Sequence, residues 1–245
     1  MMRRREFIKA ASVAAAVWPA IARAQQVRRI GILALGNPDP GLFLKDFQEG
    51  LEKLGIDRDV EVILRSAGGN MAALPAAAND LVRLKVDVIV AWQPPAATAA
   101  KSATTEIPIV MTAGNPVGTG LVASLSRPGG NVTGLDSFGA QLAGKCVEVI
   151  RDTIPSPRRI SILANTVDPF TKSFLAEIDR VAATLQIATQ PLMRRPGEDF
   201  ETAFAEMRKE NAEALIVQPT MLSRSVVELA LKYRAPTFSI VRSLP

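Results

Sequence analysis

Histidine is missing from this chain, cysteine occurs once, at Cys146, and only 5% of the residues are aromatic. Without histidine, neither a Ser-His-Asp or Cys-His nucleophile nor a His-ligated metal site can be assembled. A lone cysteine rules out an internal disulfide. Cys146 falls in a helical pattern, where it reads as a small core residue more readily than as a reactive thiol. Also missing are a Gly-x-x-x-x-Gly-Lys-Ser/Thr phosphate loop and a Gly-x-Ser-x-Gly elbow. The first strand runs into Gly36-Asn37-Pro38 rather than Gly-x-Gly-x-x-Gly, so the dinucleotide fingerprint is absent too. With these templates gone, the expectation is a protein that is not an enzyme, has no cofactor and holds no metal.

The formal net charge is +5, but much of it sits at the N-terminus. Arg3-Arg4-Arg5-Glu6-Phe7-Ile8-Lys9 forms a basic leader, 10–21 a short apolar run, and Ala22-Arg23-Ala24 a small-x-small cleavage site. Arg4-Arg5-x-Phe7-Ile8-Lys9 looks like a twin-arginine export signal, with an ordinary secretory signal as the alternative. Either route places the chain outside the cytoplasm, in the periplasm, with cleavage after Ala24. Removing 1–24 leaves a formal charge of +1 and no block of basic residues interleaved with aromatics. Nucleic-acid binding therefore has little electrostatic support. The apolar run of the leader is shorter than the roughly 20 residues a membrane helix needs, so no insertion is expected after cleavage.

Beyond the leader, apolar strands alternate with helical patterns. Strands are expected at 27–35, 60–64, 86–90, 107–111 and 131–133, and helices at 43–54, 74–84 and 96–104. Past Gly134 the series restarts with helices at 141–152, 170–185, 200–209 and 222–231 and strands at 159–163, 187–192 and 214–217. Such alternation implies right-handed crossovers, parallel sheets and helices on both faces. The reading is α/β: two doubly wound parallel-sheet lobes with a hinge and an interlobe cleft. The expected division is 1–24 leader, 25–135 first lobe, 136–236 second lobe and 237–245 a shortened return segment. Residues 112–137, with six glycines and two prolines, hold the passage between the lobes.

Open α/β sheets bind ligands beyond the carboxyl ends of their strands. The loops expected there supply the candidate ligand-binding residues: Asn37, Asp39, Trp92, Gln93, Ala96, Asn115, Val117 and Ser137 on the first lobe, and Asn165, Asp168 and Gln218 on the second. Helices beginning after Pro95 and after Val117 would offer free N–H groups and a positive dipole end to a carboxylate. Asp39 and Asp168 suit an ammonium group, or equally a turn or helix cap. Asn115-Pro116 suits a turn equally well, and Trp92 suits core packing as well as stacking on an aromatic ligand.

Several segments together resemble a known family. They are the leader ending Ala22-Arg23-Ala24-Gln25, the loop 36–40, Pro94-Pro95-Ala96-Ala97-Thr98-Ala99-Ala100-Lys101 and Ile107-Pro108-Ile109-Val110. Most specific are Asn115-Pro116-Val117-Gly118-Thr119-Gly120-Leu121-Val122 and Arg127-Pro128-Gly129-Gly130-Asn131-Val132-Thr133-Gly134. They are similar to the extracytoplasmic solute-binding proteins of ABC transporters, the tryptophan/tyrosine-type group. The resemblance implies a periplasmic-binding-protein fold of type I and a small ligand, an aromatic or hydrophobic amino acid or a related acid. It implies hinge closure on that ligand, a membrane permease as partner and a monomeric state. A first crossing is expected at 134–137, and 236–240 would approach a third. Two features depart from the family pattern: Asn115 stands where Asp is common, and Trp92-Gln93-Pro94 replaces a smaller turn. After Phe238 the family continues where this chain reads Val241-Arg242-Ser243-Leu244-Pro245, so a truncated member is expected. The alternatives are a ligand-sensing module for a membrane sensor protein and a remnant without function.

Overall fold

The computed structural model describes residues 27–36 and 40–241. The leader, Asn37, Asp39 and residues 242–245 lie outside the described residues. Five strands form the first sheet: β1 Arg28–Ala34, β2 Val60–Ser66, β3 Val88–Trp92, β4 Ile109–Ala113 and β5 Val132–Asp136. Their order is β2-β1-β3-β4-β5, and every pair is parallel. Helices α1 Gly41–Lys53, α2 Leu74–Arg83 and α3 Pro94–Ala103 belong to this lobe. The second sheet has β6 Arg159–Asn165, β7 Ala188–Arg194, β8 Ala214–Val217 and β9 Thr237–Phe238, in the order β7-β6-β8-β9, again parallel. Helices α4 Gly139–Thr153, α5 Thr171–Thr184, α6 Glu201–Lys209 and α7 Arg224–Tyr233 surround it.

The central strands β1, β3, β6 and β8 sit where apolar runs demanded burial on both faces. In β1, Ile32, Leu33 and Ala34 have no exposed surface, so the run cannot alternate polar and apolar residues. Leu33, Ile89, Ala91, Ile109 and Met111 pack with Leu81, Ala96, Ala97 and Ala100 of α2 and α3. The opposite face is covered unevenly. Register aligns Ala34, Trp92, Thr112 and Leu135 in one row. At one end of that row Ala34 is fully buried, and at the other Leu135 on the edge strand is 71% exposed. The second sheet is covered on both sides. Val147, Ile150, Phe174 and Ile178 pack on Ile160 and Ile162, while Phe204, Met207 and Val226 pack on Leu163, Leu215 and Val217.

The chain leaves the first sheet at Asp136 and begins α4 at Gly139, with only Ser137 and Phe138 between. Gly134, at φ +144, is the residue whose backbone lets β5 lie against Met111. One expected helix is absent. Residues 116–120 form turns: Thr119 N donates to Asn115 O at 3.0 Å, a single helical bond, but Gly120 N then turns to Val117 O at 3.0 Å and Leu121 N to Pro116 O at 2.9 Å, three and five residues back, so no helical ladder is continued. Thr237–Phe238 extends the second sheet beside β8, and Ile240 lies beside Gly139.

Candidate ligand cleft

On the second lobe, three expected residues meet in one buried network. Asp168 is 6% exposed, and Asn165 and Gln218 are not exposed at all. Gln218 Nε2 and Thr220 Oγ1 each donate to Asp168 Oδ2 at 2.9 Å, and the Phe170 N–H donates to Oδ1 at 2.9 Å. Gln218 Oε1 accepts from the Asn165 N–H at 2.9 Å, and Thr171 Oγ1 lies 3.0 Å from it. Asn165 Nδ2 donates to Thr220 Oγ1 at 3.2 Å and lies 3.3 Å from Met71 Sδ of the first lobe. Burial pushes the Asp168 carboxyl above the ordinary carboxylate range, against the opposing pull of its three donors. Both carboxylate oxygens are thus already held by neutral donors. Asn165 and Gln218 orient the loop that follows β6.

On the first lobe the expected residues are dispersed along the strand ends. Trp92 stacks on Phe43 of α1, with ring centroids 5.1 Å apart and planes at 9°. Gln93 precedes α3 at φ 78 and is 8% exposed; its Oε1 is buried with no hydrogen-bond partner among the described residues. Pro94 and Pro95 open α3 and have no N–H, and the Ala97 N–H goes to Gln93 O. The expected anion site at this helix end is reduced to the N–H of Ala96, a fully buried residue. Asn115, at φ 49, accepts the Gly118 N–H on Oδ1 at 3.1 Å, so its side chain closes a turn. Val117 is 46% exposed on that turn, and the Ser137 N–H donates to Ala113 O.

Two open cavities span the lobes. The larger, about 900 Å³, is lined by Gly68, Gly69 and Asn70 after β2 and by Pro196–Phe200, Thr220 and Met221 on the second lobe. The smaller, about 310 Å³, lies between Met71, Leu74, Pro95 and Thr98 on one side and Val167 and Pro169 on the other. Among the described residues, none of the nine expected ones lines either cavity; their neighbours Pro95, Val167, Pro169 and Thr220 do. Sequence reasoning missed Met71, Thr220 and Phe170. Thr220 sat in an expected strand-end loop, a usable signal. Met71 sits in a short 3₁₀ turn and carried none. Among the described residues there is no His/Cys/Asp/Glu group arranged to hold a metal, and no helix long and apolar enough to cross a membrane.

Comparison with known proteins adds three findings. The family model of the ABC transporter substrate binding protein matches residues 38–242. A tyrosine-binding protein of Clostridioides difficile (strain R20291) is 35% identical over 149 residues, 59% of this chain and 43% of that protein. The chain thus spans under half the length of this curated relative. Among solved structures, an ABC domain from Streptococcus pneumonia in complex with L-Trp has TM-score 0.77 at 24% identity, covering 86% of this chain and 73% of that one. A ligand-free, open substrate binding protein with adhesive properties from Clostridium difficile has TM-score 0.55 at 24% identity, with 87% and 74% covered.

Proposed function

The chain belongs to the ABC transporter substrate-binding protein family, and from that premise we propose that it captures a small amino acid-like ligand between its two lobes outside the cytoplasm and presents it to a membrane permease. The observation that carries this reading is the arrangement of two parallel sheets whose strand-end loops border shared cavities. A ligand touching both lobes makes its full set of contacts only when they are together, so binding favours that arrangement. The ligand class is an aromatic or hydrophobic amino acid. It is supported by the tyrosine-binding relative, and the L-Trp complex shares the fold. The export-signal reading of 1–24 supports a periplasmic location.

In this reading Gln93 and the Ala96 N–H offer an acceptor and a donor from the first lobe. Trp92 and Asn115 shape its loops, and the Asn165–Asp168–Gln218 network holds the facing loop of the second lobe. In this reading the first lobe ends near residue 135, and Thr237–Phe238 is the last strand of the second sheet, beside β8. The test is thermal unfolding of the purified chain with L-tyrosine, L-tryptophan, L-phenylalanine and L-leucine. A ligand at about a hundred times its Kd stabilises by about 2.7 kcal/mol, which for a chain of this size raises Tm by about 5–10 °C. No shift with any of the four, in a sample shown to be folded, rejects the amino acid reading.

A further inference from the structure

Phe170 belongs to the core of the second lobe, yet the tip of its ring reaches the passage between the lobes. It is 4% exposed and packs on Phe174 with centroids 5.8 Å apart. A methyl group added to Gly114, just after β4 of the first lobe, would meet ring Cε2 at 2.7 Å and Cζ at 2.9 Å. One added to Gly139, the first residue of α4, would meet Cζ at 2.9 Å and Cε1 at 3.4 Å. Neither glycine has a positive φ, so it is space for the ring and not backbone conformation that excludes a side chain at both.

The two glycines are tied to each other. Ser137 N donates to Ala113 O at 3.0 Å, and Asp136 Oδ1 accepts the N–H groups of both Asn115, at 3.2 Å, and Phe138, at 2.9 Å. They form the walls of one hydrogen-bonded socket. On the ring side, the Phe170 N–H is held by Asp168 Oδ1. The whole chain superposes with TM-score 0.77 on the L-Trp complex and 0.55 on the open, ligand-free structure, with nearly the same share of the chain covered.

We propose that the Phe170 ring in the Gly114–Gly139 socket sets the closed arrangement of the lobes. Phe170 is then a positioning residue for ligand capture, acting through the crossing and not by touching the ligand. Its effect on affinity rests on the ligand-capture reading; its effect on lobe arrangement is read without any ligand.

The experiment is small-angle X-ray scattering of the full chain without ligand, with calorimetric titration of L-tyrosine and L-tryptophan. Gly114→Ala is expected to enlarge the radius of gyration and to weaken binding about tenfold, as a closed fraction cut to about a tenth would. Adding Phe170→Leu, which removes the ring tip, restores both values. Gly139→Ala gives the same pattern from the other wall, at a helix position where alanine itself is favourable. If neither amino acid binds the wild type and the scattering pattern holds, the proposal stands and the amino acid reading falls. A wild-type radius in both alanine variants, or no restoration by Phe170→Leu, overturns it.

Discussion

Gln218 Nε2 donates to Asp168 Oδ2 at 2.9 Å, so a carboxylate with no cation beside it is held inside the second lobe by neutral donors across 50 residues of sequence. Burial raises its folded pKa above the unfolded value of about 3.9. The sign follows: the contribution is fully present below the unfolded value and is lost as pH rises through the folded one. Asp168→Asn removes this titration. The stability advantage of wild type over the variant is expected to shrink as pH rises from about 4, measured by urea unfolding of both from pH 3.5 to 7. An advantage that grows with pH contradicts the assignment.

Gly134 has φ +144, and a Cβ there would run into the Met111 carbonyl oxygen on the neighbouring strand. Gly134→Ala combines backbone strain with loss of β4–β5 pairing, and is expected to destabilise by about 3 kcal/mol or more. Chemical denaturation reads this directly. A change under about 1 kcal/mol means that the β5 edge is not held as described.

Asn115 serves its turn in two ways, by tolerating φ 49 and by accepting the Gly118 N–H. Asn115→Gly keeps the first, whereas Asn115→Ala loses both. Alanine is expected to cost about 1–2 kcal/mol and glycine a few tenths. Equal losses in the two variants count against a backbone requirement at this position.

Cys146 packs beside the α4–α5 core, and burial pushes its thiol pKa up. The thiolate is the reactive form, so the folded chain is expected to react slowly with a disulfide reagent at neutral pH. Unfolding in urea should raise the rate at least about tenfold, since an unperturbed thiol is a few per cent ionised. Equal rates in both states show the thiol to be open to solvent.

Hydrophobic periodicity alone indicated both sheets and most helices, because burial on two faces leaves an apolar run that no neighbour in space can disguise. Val27–Leu35 and Ala214–Val217 are examples. The same reasoning failed after Val117. Asn115 Oδ1 takes the Gly118 N–H, and the Gly120 and Leu121 N–H groups turn back to Val117 and Pro116; residue types along the chain do not register that competition. Trp92 was legible as a residue just beyond a buried strand, but that it stacks on Phe43 of α1 was decided by packing between distant segments.

The strand-end loops, the excluded chemistries and the family motifs were determined by sequence, since each depends on residue type and spacing along the chain. Tertiary structure alone decided that Asp168 is held by Gln218 and Thr220, that Met71 lies beside Asn165, and that Phe170 enters a socket between Gly114 and Gly139. Those pairings join residues up to 94 positions apart. No local pattern encodes them, because a hydrogen bond or a packed ring takes its partner from whatever the folded chain brings within reach.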